Sequence, residues 1–173
     1  FIEHVGIPTL GALREAVDAL KELNMHRKVQ LIVSGGIRSG ADVAKAMAMG
    51  ADAVSIGSAA MMALNCNADL YVEDYKKLGT EPGYCHHCHT GKCPVGVATQ
   101  DPELEKRLNP IEAGKRIKNY LTTLTLELQT LARANGKSNV RNLEPEDLAA
   151  LTVEAAAMAR VPLAGTDWIP GKK

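Results

Sequence analysis

The chain has 173 residues, 46% of them hydrophobic, and its 20 lysines and arginines balance 20 aspartates and glutamates. That length suits one ordinary domain with an apolar core, and the neutral balance removes the electrostatic footprint of a nucleic-acid or anionic-membrane binder. Apolar stretches such as Ala41 to Ala51 are broken by Asp42, Lys45 and Gly50, so no run approaches the roughly 20 residues of a membrane span. The partners expected are small molecules or proteins, with no nucleic acid and no membrane. Phe1 stands where a start methionine would, and Phe1-Ile2-Glu3-His4 has neither a basic leader nor a small-residue cleavage pattern, so the chain reads as a piece of a longer polypeptide. Its four cysteines gather around one loop beside three histidines. Such spacing suits metal better than a disulfide framework and points to a reducing cytoplasm.

In chain order, Leu13, Ala16, Val17, Leu20 and Leu23 recur at helical spacing between Gly11 and Asn24, and Val29 to Val33 reads as a short buried strand. Ser39 is placed to cap a second helix, with Asp42 three residues on as in a capping box, and Gly50 to end it. Ala53 to Ile56 reads as a second strand. A helix of about 10 residues between two apolar strands is a crossover unit of a parallel sheet, so the class is α/β. Gly57-Ser58 then opens a short apolar helix that ends near Asn65 and Cys66. From Asn67 to Gly83, turn signals and charges read as an irregular excursion lying against a partner surface. Asn109-Pro110 is a strong helix start, and the face of Ile117, Leu121, Leu124, Leu128 and Leu131 runs up to Asn135-Gly136. Leu148, Leu151, Ala155 and Met158 outline a further helix opened by Glu144-Pro145 and closed before Val161-Pro162. The tail from Leu163 reads as irregular and suited to lie along another subunit.

Both strand ends carry glycine: Ser34-Gly35-Gly36-Ile37-Arg38-Ser39-Gly40 after the first and Ile56-Gly57-Ser58 after the second. Glycines of this kind make tight turns, and they also let backbone amides approach an anion. Two such loops in succession, with Arg38 and the positive end of the helix starting near Ser58, favour phosphate. In (β/α)₈ barrels a phosphate site lies on the loops after strands seven and eight.

From Tyr84 to Gln100 the chain reads Tyr-Cys-His-His-Cys-His-Thr-Gly-Lys-Cys-Pro-Val-Gly-Val-Ala-Thr-Gln. Thiolates at Cys85, Cys88 and Cys93 on one short loop, the last followed by proline, suit an iron-sulfur cluster. Zinc held by three cysteines and one of His86, His87 and His89 is the alternative metal reading. The histidines are also placed to bond sulfur, backbone or a nearby subunit, and His89 to tune a cluster through a hydrogen bond.

The glycine segments, Ser34 to Ala46 and Gly50 to Ala59, resemble the closing βαβ unit of flavin- and nucleotide-binding barrels: the 2-hydroxy-acid oxidases, IMP dehydrogenase and glutamate synthase. Ser58 departs from the arginine usual in the oxidases, and Cys66 lies too far along for the IMP dehydrogenase nucleophile. The cysteine segment, Cys88 to Leu104, resembles the iron-sulfur segment of glutamate synthase almost residue by residue, and His4-Val5-Gly6-Ile7-Pro8 resembles the substrate-side loop before it. The resemblance implies the C-terminal part of an FMN-binding (β/α)₈ TIM barrel with an iron-sulfur loop and C-terminal helices. Residues 1–65 would carry the last barrel units and the phosphate site, 66–108 an insertion and the cluster loop, and 109–173 the helices and tail. FMN phosphate would lie against Ser34, Gly35, Gly36, Arg38, Gly57 and Ser58. Phe1 does not supply the N-terminal cysteine of the family's glutaminase domain, and no catalytic acid is assigned.

Glutamate synthases space their cluster cysteines as C-x₅-C-x₄-C, the first ending an Ala-Leu-Gly-Cys run. Here Cys88 and Cys93 keep the second gap, but Pro82 occupies the first position. Cys85, or Cys66 at the end of Ala63-Leu64-Asn65-Cys66 if Asn67 to Tyr84 is an insertion, would replace it. Three ligands imply a 3Fe-4S cluster, and all four imply 4Fe-4S. The implied reaction forms glutamate from 2-oxoglutarate and glutamine-derived ammonia by reducing an imine, with ferredoxin or an NADPH-linked donor as electron source and glutaminase and other synthase subunits or domains as partners. Segments Leu124 to Arg133, Gly136 to Ser138, Leu143 to Leu148 and Val153 to Thr166 are also similar to the large subunit of N-methylglutamate synthase (a methylamine-glutamate N-methyltransferase), where methylamine replaces ammonia. A non-catalytic electron relay and a hydroxy-acid oxidase are the rival expectations.

Overall fold

A computed structural model of the chain describes residues 5–171; Phe1 and His4 of the motifs above lie outside the described residues. In order along the chain come α1 (Thr9–Glu22), β1 (Ile32–Ser34), α2 (Gly40–Ala48), β2 (Ala53–Ser55), α3 (Ser58–Ala63), α4 (Val72–Lys77), α5 (Pro102–Glu105), α6 (Pro110–Ala134) and α7 (Val153–Ala159). They form two compact units: one takes the residues up to Ile56 and from Leu124 onward, the other Gly57–Thr123. Among the described residues no helix is long and apolar enough to cross a membrane.

In the first unit β1 and β2 pair in parallel, Ile32 opposite Ala53, Val33 opposite Val54 and Ser34 opposite Ser55, with α2 as the crossover between them. The strand begins later than its apolar run. The Leu31 amide donates to the Asp52 carboxylate at 2.8 Å and the Leu31 carbonyl accepts from the Asp52 amide at 2.9 Å, so Asp52 holds the approach to the strand in place of a ladder partner. Along β1, Val33 is 7% exposed and Ile32 64% exposed, the alternation of a strand covered on one face.

Ser39 caps α2 by accepting from the Asp42 amide at 3.4 Å. The capping box expected with Asp42 closes one residue early, because that carboxylate accepts from the Arg38 amide at 3.1 Å. Gly40, the first helical residue, donates its amide to Glu127 of α6 at 2.6 Å. A Cβ at Gly40 would stand 2.6 Å from the Leu128 nitrogen and 2.8 Å from the Glu127 Cβ, and would collide with the Leu124 carbonyl oxygen. Asn109 accepts from the Ile111 and Glu112 amides at 3.1 and 3.2 Å, which fixes the start of α6, and Gly136, at φ +69°, follows its end.

The helix expected between Glu144 and Val161 is a shorter one. Glu144 and Asp147 close a capping box around a single 3₁₀ turn, Pro145–Asp147. Ala150 then pairs in parallel with Leu163, its amide donating to the Pro162 carbonyl at 2.8 Å, which takes the backbone out of helical bonding. Only after Thr152 caps the Ala155 amide does α7 form, and it packs on α1. The tail from Leu163 is irregular, as expected, and the Leu163 amide donates to the Trp168 carbonyl at 3.0 Å.

In the second unit the stretch from Asn67 to Gly83 is ordered where the sequence suggests irregularity. A 3₁₀ turn, Asp69–Tyr71, leads into α4, which turns Tyr75 inward against Cys93 and Val95 at 1% exposure. Burying one aromatic ring outweighs the many charges of so short a helix, which stay on its outer side as Glu73–Lys76 and Asp74–Lys77 pairs.

Replacing Gly40 with alanine should destabilise the protein by about 1–3 kcal/mol, since rigid backbone of α6 blocks the added methyl. Urea unfolding of the full-length protein measures this, and an unchanged midpoint would refute the close helix contact.

Candidate metal centre and phosphate loop

The four cysteines reach one region of the second unit from separate stretches of backbone. Cys66 follows α3, its amide donating to the Met61 carbonyl at 3.0 Å, and sits between two left-handed asparagines, Asn65 at φ +78° and Asn67 at φ +63°. Asparagine is the residue that best tolerates that backbone after glycine. Cys85 follows the Glu81–Tyr84 turn, where the Tyr84 amide donates to the Glu81 carbonyl at 3.1 Å. Cys88 opens the 3₁₀ turn Cys88–Thr90, which Gly91 ends at φ +72°. Cys93 is 7% exposed and leads into the buried Pro94 and Val95.

Local hydrogen bonds brace this loop. Thr90 donates to the His87 carbonyl at 2.8 Å and accepts from the Lys92 amide at 3.2 Å, while Thr99 donates to the Gly91 carbonyl. Gly96 lies so close to α5 that a Cβ would stand 3.2 Å from the Leu108 nitrogen and would collide with the Leu104 carbonyl oxygen. Arg107 donates to the Asp74 carboxylate and to the Pro94 carbonyl, both at 2.8 Å, with its guanidinium carbon 4.4 Å from the Tyr71 ring centre. Of the histidines, His86 lies 3.2 Å from the Tyr84 carbonyl through Nδ1 and stacks on His87 at 4.9 Å between ring centres; His87 in turn stacks on His89 at 6.5 Å.

All four thiols are free, and Cys66 lies within electrostatic reach of the other three: burial pushes the Cys66 thiol up, and Cys88, Cys93 and Cys85 push it further. Cys85 and Cys93 pack against Tyr75. Burial, followed by Cys66, Cys85 and Cys93, drives the Tyr75 phenol up to about 12. The Asn67 amide opposes both shifts, yet the phenol oxygen has no hydrogen-bond partner of normal geometry. Among the described residues no three His, Cys, Asp or Glu side chains converge closely enough for one ion. A single zinc ion draws its thiolates together through bonds of about 2.3 Å, whereas a cluster with inorganic sulfide between its irons holds them further apart. A donor set of four cysteines is rich in sulfur, which suits an iron-sulfur cluster.

The glycine loop of the first unit follows Ser34 with two left-handed residues, Gly35 at φ +114° and Gly36 at φ +74°. At Gly36 an added Cβ would meet nothing within 4 Å. The loop borders a cavity of about 330 Å³ whose lining includes Thr9, Gly35, Gly36, Arg38, Asp42 and Lys45. Arg38 and Lys45 both pair with Asp42, at 3.4 and 3.1 Å. Gly57 and Ser58 belong to the second unit, where Gly57 caps α3 without a side chain and also leaves open space at its Cβ position.

Residues 1–138 match the family profile described as the conserved region in glutamate synthase. The chain belongs to the glutamate synthase family. It is 64% identical over 172 residues to a glutamate synthase large subunit-like protein of Rhizobium meliloti (strain 1021), covering 99% of this chain and 39% of that protein. An archaeal glutamate synthase (NADPH) of Methanocaldococcus jannaschii is 41% identical over 143 residues, 83% of this chain and 25% of the relative. The large subunit-like protein YerD of Bacillus subtilis (strain 168) is 33% identical over 132 residues, 76% of this chain and 22% of the relative. The chain thus spans about two fifths or less of the curated relatives named.

Sequence reasoning missed a larger cavity, about 550 Å³, at the C-terminal ends of α1 and α2, lined in part by Arg14, Lys21, His26, Arg27 and Gly50. Burial first, then Lys21 and Arg27, hold His26 below its ordinary 6.5. The unfolded chain therefore takes up this proton more readily, and stability present above about pH 6.5 should fall as the pH drops below it. Melting curves of full-length protein from about pH 7 to 5 should show a shallower acid loss in His26→Gln; equal slopes would remove His26 from the account. Gly96→Ala should reduce stability, because α5 cannot move away without carrying Arg107 with it; an unchanged urea midpoint would contradict that.

Proposed function

We propose that this chain is the cofactor-holding part of a glutamate synthase-type oxidoreductase that forms glutamate from 2-oxoglutarate and glutamine-derived ammonia. The observation that carries this reading is that Cys66, Cys85 and Cys93 neighbour buried Tyr75, with Cys88 near Cys66, in a chain of that family. These thiolates would hold an iron-sulfur cluster, three-iron with three ligands and four-iron with four. When bound, the cluster supplies single electrons and FMN the hydride for reducing the imine of the 2-oxo acid.

The residues present suit those groups. The Gly35-Gly36 turn offers backbone amides to the FMN phosphate, Arg38 adds positive charge, and Ser34, Gly57 and Ser58 complete the set that the family likeness implies. Burial of Cys93, Pro94 and Val95 keeps water from one side of the cluster. Among the described residues β1 and β2 make a sheet of two strands with Ile32 exposed. Such a pair is marginal alone and leaves open edges, which supports their place as closing strands of an FMN-binding (β/α)₈ barrel. Glutaminase and other synthase domains or subunits would deliver ammonia, and ferredoxin or an NADPH-linked donor the electrons, in the cytoplasm.

Full-length protein purified without air should contain FMN, iron and acid-labile sulfide. With glutaminase partners and reduced ferredoxin or NADPH, it should convert 2-oxoglutarate and glutamine to glutamate. N-methylglutamate formed from glutamate and methylamine would reassign the amine. Zinc at one equivalent without sulfide would overturn the cluster, and a protein that binds no flavin would overturn the synthase reading.

A further inference from the structure

Two buried polar side-chain atoms of the second unit lack a partner, the Asn67 Oδ1 and the Tyr75 hydroxyl. They differ in what they need. Asn67 Oδ1 is an acceptor and the phenol a donor, yet the two make no hydrogen bond to each other. Tyr75 is 1% exposed, so bulk water does not serve it. The nearby Asn67 amide is itself a donor and leaves that proton unplaced. In the hydrophobic cluster around Tyr75, Cys85 and Cys93 bring sulfur, and Tyr71 lies with its ring under Arg107. A buried hydroxyl without an acceptor is costly, and this one stands among the thiols assigned to the cluster.

We propose that the Tyr75 hydroxyl donates a hydrogen bond to a sulfur of the iron-sulfur cluster, a sulfide or a ligating thiolate, and raises the cluster's reduction potential. The inference rests on the cluster reading above. A donor aimed at a cluster sulfur favours the reduced form, which carries the extra negative charge. Tyr75 lies in the stretch from Asn67 to Tyr84, which separates Cys66 from the cysteine loop and is longer than the C-x₅-C gap of the family. The inserted segment would then do more than bridge two ligands: it would bring a donor of its own and set the potential at which this chain accepts electrons.

The test compares full-length wild-type protein with Tyr75→Phe, both purified without air, by redox titration followed through the paramagnetic signal of the cluster. Phenylalanine keeps the ring that fills the core and removes only the hydroxyl. At the wild-type midpoint the reduced-to-oxidised ratio of the variant should fall about tenfold, a shift of about 59 mV to lower potential for a one-electron couple. A cluster present in both proteins with an unchanged or higher midpoint in the variant overturns the role of Tyr75 and leaves the cluster standing. Wild-type protein without iron and acid-labile sulfide overturns the cluster reading itself. Should the variant fail to retain its cluster, wild-type protein exchanged into deuterium oxide decides: the proposal expects an exchangeable proton coupled to the cluster in pulsed magnetic-resonance spectra, and its absence refutes the hydrogen bond.

Discussion

Arg107 joins the α4 stretch and the cysteine loop through one guanidinium. It donates to Asp74 on α4 and to the carbonyl of Pro94 beside Cys93, and it lies over the ring of Tyr71. Lysine could not satisfy a carboxylate, a carbonyl and an aromatic face at once, because it lacks the planar fork of donors. With α4 pinned in this way, Tyr75 is committed to the interior against Cys93 and Cys85, and the stretch that follows Cys66 is drawn toward the cysteine loop. Cys66, nineteen or more positions from the other thiols in sequence, thereby becomes their electrostatic neighbour.

The start of α2 shows why an anion would use the glycine turn and not the helix end. The Gly40 amide is taken by Glu127, the Asp42 amide by Ser39 and the Arg38 amide by Asp42. Two carboxylates and a hydroxyl already satisfy those donors, and the carboxylates offset the positive end of the helix dipole. What remains toward the cavity is the left-handed Gly35-Gly36 turn, with open space at Gly36. At α3, by contrast, the cap is Gly57, which has no side chain to offer. The two glycine-bearing loops thus leave their amides available for different local reasons.

Much of this was legible in the sequence where the signal is local. Asn109-Pro110 and Gly136 bound the long helix, Ser39 caps the second, and the Cys-Pro-Val-Gly run stands on its own composition. Signals that depend on distant partners were not legible. The strand before Ser34 shortens because Asp52 binds Leu31, and the helix after Glu144 breaks because Pro162 takes the Ala150 amide. Tyr75 is hidden among charges spaced for a solvent face, and only the packing with Cys93 and Val95 reveals it as core. For Cys66 there was a partial signal. Asn65 in place of glycine is readable as a left-handed position, but its meaning depends on α4 folding back.

Iron K-edge X-ray absorption on full-length protein prepared without air tests the central claim most directly, that these four cysteines gather to hold one iron-sulfur cluster. The account predicts an all-sulfur first shell with an iron–iron scattering shell beyond it, both lost or altered when Cys93, the most buried of the four thiols, is replaced by serine. A metal edge of zinc, or iron without an iron–iron shell, would contradict it.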